Sequence, residues 1–104
     1  MFFFFKNDCP YCDAFSPTVK EFSEKYNWSV LAISEFGEQH SIFKRSVQDN
    51  GLADAWGVRV YPSLFAVNPK TGHVIPVAAG MISIQEIEER IISLDTNDGE
   101  DENG

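Results

Sequence analysis

Cysteine is scarce in this chain of 104 residues, which holds only Cys9 and Cys12. That scarcity excludes a framework of several disulfides and any four-cysteine zinc site. Basic residues are also few, with 8 Lys and Arg against 16 Asp and Glu, and Lys44-Arg45 is the only adjacent pair. Phosphate binding needs clustered Lys and Arg, so nucleic acid is not an expected partner. The one strongly apolar opening, Phe2 to Phe5, is far short of the roughly 20 residues that a membrane-spanning helix requires, and no small-residue cleavage site follows it. The sequence as given reads as soluble, with no membrane partner. No Gly-rich phosphate loop and no Ser, His and Asp nucleophile motif occurs, so no cofactor is expected.

What is present supports one folded domain. Hydrophobic residues make up 43% and include 9 Phe, enough for a single buried core. Asp95, Asp98, Glu100, Asp101 and Glu102 lie within the last ten residues and leave 11 acids against 8 bases elsewhere, so the folded part is only mildly acidic. Residues 1–94 are expected to form the domain. Residues 95–104 are polar throughout and read as a disordered acidic tail, because burial there cannot offset the entropy of ordering. A central strand directly after Met1 fits a piece of a longer precursor.

The apolar pattern predicts the elements. Phe2-Phe3-Phe4-Phe5 reads as a strand buried on both faces and closed by Lys6-Asn7-Asp8. Phe15, Val19, Phe22 and Tyr26 form one helical stripe, with Pro10 in the first turn and a kink expected at Pro17. Trp28 to Ile33 is a second strand, parallel to the first. Glu35 to Asn50 is weakly patterned, with at most a helical turn over Ile42 to Val47. Leu52 to Trp56 is a short helix ending at Gly57. Pro62 to Val67 and His73 to Val77 form an antiparallel hairpin around Asn68-Pro69-Lys70-Thr71-Gly72, and Pro76 puts the latter strand at a sheet edge. Ser83 to Glu86 is a capping box for a last helix carrying Ile84, Ile87, Ile91 and Leu94. The fold class is α/β, a two-layer β-α-β-(α)-β-β-α arrangement with a mixed central sheet.

Cys9-Pro10-Tyr11-Cys12 has three readings: a redox pair, half of a zinc site, or a structural disulfide. Position favours the first. Cys9 ends a strand loop and opens a helix, where unpaired N–H groups and the helix dipole favour a thiolate. Cys12, three residues on, lies on the same face and can resolve a mixed disulfide at Cys9. Zinc would need His40 and His73 as further ligands, and neither sits in a spaced motif, so both read as surface residues. Trp56 reads as packing and Asp8 as a solvated surface carboxylate. Pro62, after Gly57-Val58-Arg59-Val60-Tyr61, is a candidate cis-proline.

These residues together resemble the thioredoxin superfamily. Within it, the chain is similar over about residues 2 to 94 to the C-terminal thioredoxin-like domain of conjugative-transfer proteins of the TraF and TrbB type. Asn50-Gly51-Leu52-Ala53 through Pro62, and Val67 to Gly72 through Gly80, carry that similarity. The resemblance implies that Pro62 shapes a substrate groove beside Cys9 and Cys12 and excludes metal. It also implies that Tyr61 presents backbone groups to an extended substrate, with Pro10 and Tyr11 lining the same surface. One departure is Phe3, six residues before Cys9, where thioredoxins carry a buried Asp.

The activity implied is thiol-disulfide oxidoreduction of oxidase or isomerase type on protein thiols and disulfides, in the periplasm, during conjugative pilus assembly and type IV secretion. Other conjugative-transfer proteins are the implied partners. Two alternatives stand beside it: a redox-inactive interaction module of the transfer apparatus, and a glutaredoxin-like reductase suggested by Pro10-Tyr11.

Overall fold

Four consecutive phenylalanines form β1 (Phe2–Phe5), and their alternation organises the architecture of the computed structural model, which describes residues 1–91. Successive strand side chains point to opposite faces. Phe3 and Phe5 therefore join a cluster with Phe15, Val19 and Phe22 of α1 (Pro10–Tyr26) and with Ile87 and Ile91. Phe4 points the other way, into a second cluster with Ile33, Ala53 and Phe65. A strand covered on both faces has no polar side to mark, which is why it reads as an unbroken aromatic run.

The sheet has five strands in the order β3-β2-β1-β4-β5, with β2 (Leu31–Ser34), β3 (Ser46–Gln48), β4 (Ser63–Val67) and β5 (Val74–Ala79). β1 pairs parallel with β2 and antiparallel with β4, so the sheet is mixed, as expected. The hairpin β4–β5 is antiparallel and puts Pro76 on the edge strand. Leu64 pairs with Ala78 and Phe65 with Pro76, leaving Val77 as the extra residue of a bulge. Asn68 closes the turn: its Oδ1 accepts from Lys70 N–H at 2.9 Å, while Gly72 at φ 74 reverses the chain.

The weakly patterned stretch differs from its expected form. Ile42 to Val47 makes no helical turn; its end instead enters β3, whose register with β2 starts at Ala32 opposite Ser46. Three largely exposed residues carry no period of their own, and the pairing with β2 supplies the structure.

Helix α1 runs through Pro17 and ends at Asn27, in the left-handed region at φ 57. α2 (Leu52–Ala55) covers the Phe4 face and is capped by Asp49, whose Oδ1 accepts from Leu52 N–H at 2.8 Å and Ala53 N–H at 3.2 Å. Asp49→Ala is expected to cost about 0.5–2 kcal/mol of stability, the usual effect of losing an N-terminal cap, checked by the shift in urea midpoint. A last helix, α3, is helical from 84 through 91, and Glu86 N–H donates to the Ser83 hydroxyl at 3.1 Å as a cap requires. The expected domain boundary at 94 and the acidic tail 95–104 lie outside the described residues.

Candidate active site

All connections at the carboxyl end of β1 meet at one end of the sheet, because Phe5 pairs with Ser34, Phe4 with Ser63, and Ser63 with Ala79. Cys9 emerges there. After β1 the chain turns through Asp8, exposed and at φ 54, a conformation Asp tolerates better than most residues. Cys9 is then the N-cap of α1, with Pro10 in its first turn.

The Cys9 Sγ accepts a hydrogen bond of 3.1 Å from Cys12 N–H, a first-turn group with no partner inside the helix. That N–H and the positive end of the helix dipole both point at the Cys9 sulfur, an arrangement that suits negative charge there. Cys9 and Cys12 are joined as a disulfide with Cα atoms 5.2 Å apart. Cys12 is 1% exposed and lies on the buried face of α1 with Phe15, Ser16 and Val19, whereas Cys9 is only partly buried. Of the two, Cys9 is therefore the more accessible.

Tyr61 and Pro62 lie at the same end of the sheet as this pair, since the Phe4–Ser63 register sets residue 62 beside the end of β1. The Tyr61–Pro62 peptide bond is cis and the Pro62 side chain is buried. Ser63 Oγ donates to the Val60 carbonyl and Gly80 N–H to the Pro62 carbonyl, both at 2.7 Å. Among the described residues no backbone or side-chain group bonds the Tyr61 N–H or C=O. The Lys6 ammonium lies 4.9 Å from the centre of the Tyr61 ring. Burial, then the carboxylates of Asp49, Glu35 and Asp54, raise the Tyr61 phenol above its ordinary value. Pro10 and Tyr11 are exposed beside Cys9. All six residues singled out in the sequence thus gather at one end of the sheet.

One residue departs from its expected place. His40 is not on the surface: it is 9% exposed, with its ring against Phe3, Phe5 and Phe43 at centroid distances of 5.8, 4.8 and 4.8 Å. Its Nδ1 accepts from Ile42 N–H at 2.9 Å and Phe43 N–H at 3.3 Å. That leaves the ring proton on Nε2, which lies 2.9 Å from Ser16 Oγ. Ser16 in turn donates to the Cys12 carbonyl at 2.7 Å. A lone His in a patternless loop gives no signal of this; the spacing of Ser16 four residues after Cys12 is the only hint. His73 is exposed and Trp56 packs against Phe2, Phe4 and Phe65, as the sequence suggested.

Burial lowers the His40 pKa from its ordinary 6.5, opposed by the nearby Asp13 carboxylate, the charged group of α1 that acts on it. The folded state then binds fewer protons than the unfolded chain just below pH 6.5. The contribution of neutral His40 to stability is complete above that pH and falls as the pH drops beneath it. His40→Asn is expected to flatten the decline in urea midpoint between pH 7.5 and 5.5 relative to the parent, and an unchanged decline would show that other groups cause it.

No helix of the described residues is long and apolar enough to cross a membrane. A broad concavity lined by Met1, Phe2, Trp28, Val67 and His73 lies at the opposite end of the sheet from Cys9.

Residues 1–92 match the model of a family described as "TraF: F plasmid transfer operon protein". The chain is also 27% identical over 92 residues to Protein TraF of Escherichia coli (strain K12), an alignment that takes in 88% of this chain and 37% of that protein. It therefore spans little more than a third of the length of this curated relative.

Proposed function

The chain belongs to the TraF family, and on that premise we propose that it is a thiol-disulfide oxidoreductase domain acting on protein thiols and disulfides. The observation that carries the reading is the pairing of a partly buried cysteine at a helix N-terminus with a fully buried one a single turn behind it. In the oxidising direction a substrate thiolate attacks Cys9 Sγ, the Cys9–Cys12 bond breaks, and Cys12 leaves with the electron pair and takes up a proton. A second substrate thiolate then attacks the substrate sulfur of the mixed disulfide. Cys9 leaves as a thiolate, stabilised by Cys12 N–H and the helix dipole. Two electrons have passed from the substrate to the pair, and no metal or other cofactor takes part.

Tyr61 offers its N–H and C=O for strand addition by an extended substrate. Tyr11, Val60 and Met81, 68%, 46% and 49% exposed, give that end of the sheet an apolar character suited to unfolded polypeptide. This favours a protein substrate over a small ligand in a deep pocket. The setting we propose is the periplasm, where disulfides persist, with conjugative pilus assembly and type IV secretion as the process and other transfer proteins as substrates.

The test mixes the oxidised protein with a reduced, unfolded protein and follows both by thiol counting. Loss of substrate thiols matched by reduction of Cys9–Cys12 is the expected result, with a potential against glutathione at or above about −180 mV, the range of oxidases and isomerases. Absence of transfer would overturn the reading, and a potential near about −270 mV would make the domain a reductase.

A further inference from the structure

We infer that His40 and Ser16 act as a positioning pair for the redox disulfide, a buried relay that holds the first turn of α1 where Cys12 closes on Cys9. The inference rests on the redox reading above and adds to it the residues that set how firmly the pair stays oxidised.

The geometry is directional. Nδ1 of His40 is committed to two backbone N–H groups, from Ile42 and Phe43, so Nε2 carries the proton and points it at Ser16 Oγ. With its lone pair engaged, the Ser16 hydroxyl turns its own proton to the Cys12 carbonyl. Ser16 is 1% exposed, His40 9% and Cys12 1%, so water does not compete within the relay. His40 is itself held from behind, since its backbone N–H donates to Ser46 Oγ at 3.1 Å and Ser46 Oγ donates to the Phe43 carbonyl at 2.9 Å. The loop between β2 and β3 is thereby fastened to the residue that carries the inner sulfur. The relay ends on a carbonyl and not on sulfur, so it fixes geometry and carries no proton to the thiol.

Fixed geometry has a measurable consequence. A disulfide between two cysteines held together is favoured by the effective concentration of one sulfur at the other, and orientation is a large part of that quantity. Loosening the first turn of α1 lowers it, and the pair becomes easier to reduce.

Three variants separate positioning from simple packing. Ser16→Ala removes the relay at its centre. His40→Asn keeps an acceptor near the Nδ1 position for Ile42 and Phe43 but has no donor that reaches Ser16, whereas His40→Gln keeps a donor near the Nε2 position and loses the acceptor. The readout is the equilibrium constant of Cys9–Cys12 with glutathione, measured for folded protein and accompanied by urea midpoints. Ser16→Ala and His40→Asn are expected to shift that constant toward the reduced form by threefold to tenfold, tenfold being about 30 mV. His40→Gln is expected to stay within twofold of the parent even where its midpoint falls. Constants within twofold of the parent for both Ser16→Ala and His40→Asn would overturn the inference, as would shifts that track midpoint alone across all three variants. This equilibrium is a property of the cysteine pair whether or not the protein catalyses exchange on substrates, so the proposed activity fails separately, in the thiol-transfer assay of the parent.

Discussion

Cys9→Ser is expected to reduce disulfide transfer to the uncatalysed background, whereas Cys12→Ser is expected to arrest the reaction halfway, as a mixed disulfide. The asymmetry follows from exposure and capping. Cys9 is only partly buried and its sulfur receives Cys12 N–H, so in the proposed reaction it is the atom an incoming sulfur meets and the one best stabilised as a leaving thiolate. A serine hydroxyl at that place neither ionises near neutral pH nor forms a bond to sulfur. Cys12, 1% exposed, is out of reach of a protein partner, and in the proposed reaction it resolves whatever is attached to Cys9. Without it, reduced protein attacks a disulfide substrate through Cys9 and remains attached to it. Non-reducing electrophoresis and intact mass should show a covalent adduct for Cys12→Ser and none for Cys9→Ser. Equal adducts from both variants, or transfer by Cys9→Ser at the parent's rate, would contradict the assignment of roles.

The largest effect on stability is expected from Phe3→Ala, at about 3–5 kcal/mol, the usual cost of truncating a buried aromatic. Phe3 is wholly buried, and its ring neighbours those of Phe5, Phe15, His40 and Phe43. Truncation would open a cavity between the central strand and α1. Domains of this kind have a total stability of about 5–15 kcal/mol, so the variant should melt at least about 12 °C lower than the parent. Phe36, 76% exposed on the loop after β2, serves as the control: Phe36→Ala should lie within about 0.5 kcal/mol of the parent. Similar melting temperatures for the two variants would show that the double cover of β1 does not hold the fold together.

Much of this was legible because it is local. The Phe run, the 3.6-residue stripe of Phe15, Val19 and Phe22, the Asn68 to Gly72 turn and the Ser83 cap each write their conformation into a few neighbouring residues, and the structure reproduces them. Cys9 and Cys12 were legible for the same reason, since a strand, a turn and a proline-led helix start follow one another directly from Phe2 to Cys12 and dictate where the sulfurs lie. Two things were not legible. β3 consists of Ser46, Val47 and Gln48, with Val47 44% exposed, and it exists because β2 offers an open edge: Ala32 N–H finds the Arg45 carbonyl at 2.8 Å. A short edge strand without alternation leaves no trace in sequence. His40 was hidden for a related reason, because its partners Ser16, Phe3 and Phe5 come from segments 24 or more residues away and its loop has no periodicity to betray a buried position.

The sequence alone determined the strand-turn-helix that presents two sulfurs at a helix start, because that arrangement is set by backbone preferences and apolar spacing within about one helical turn of each residue. Tertiary structure decided what shares that end of the sheet: the Tyr61–Pro62 segment brought to the end of β1 by the antiparallel pairing of β1 and β4, and the His40–Ser16 relay behind Cys12. Both depend on which strands pair and which loops pack. Those choices are settled by burying the two clusters around β1 as a whole, and no short stretch of the chain contains that information.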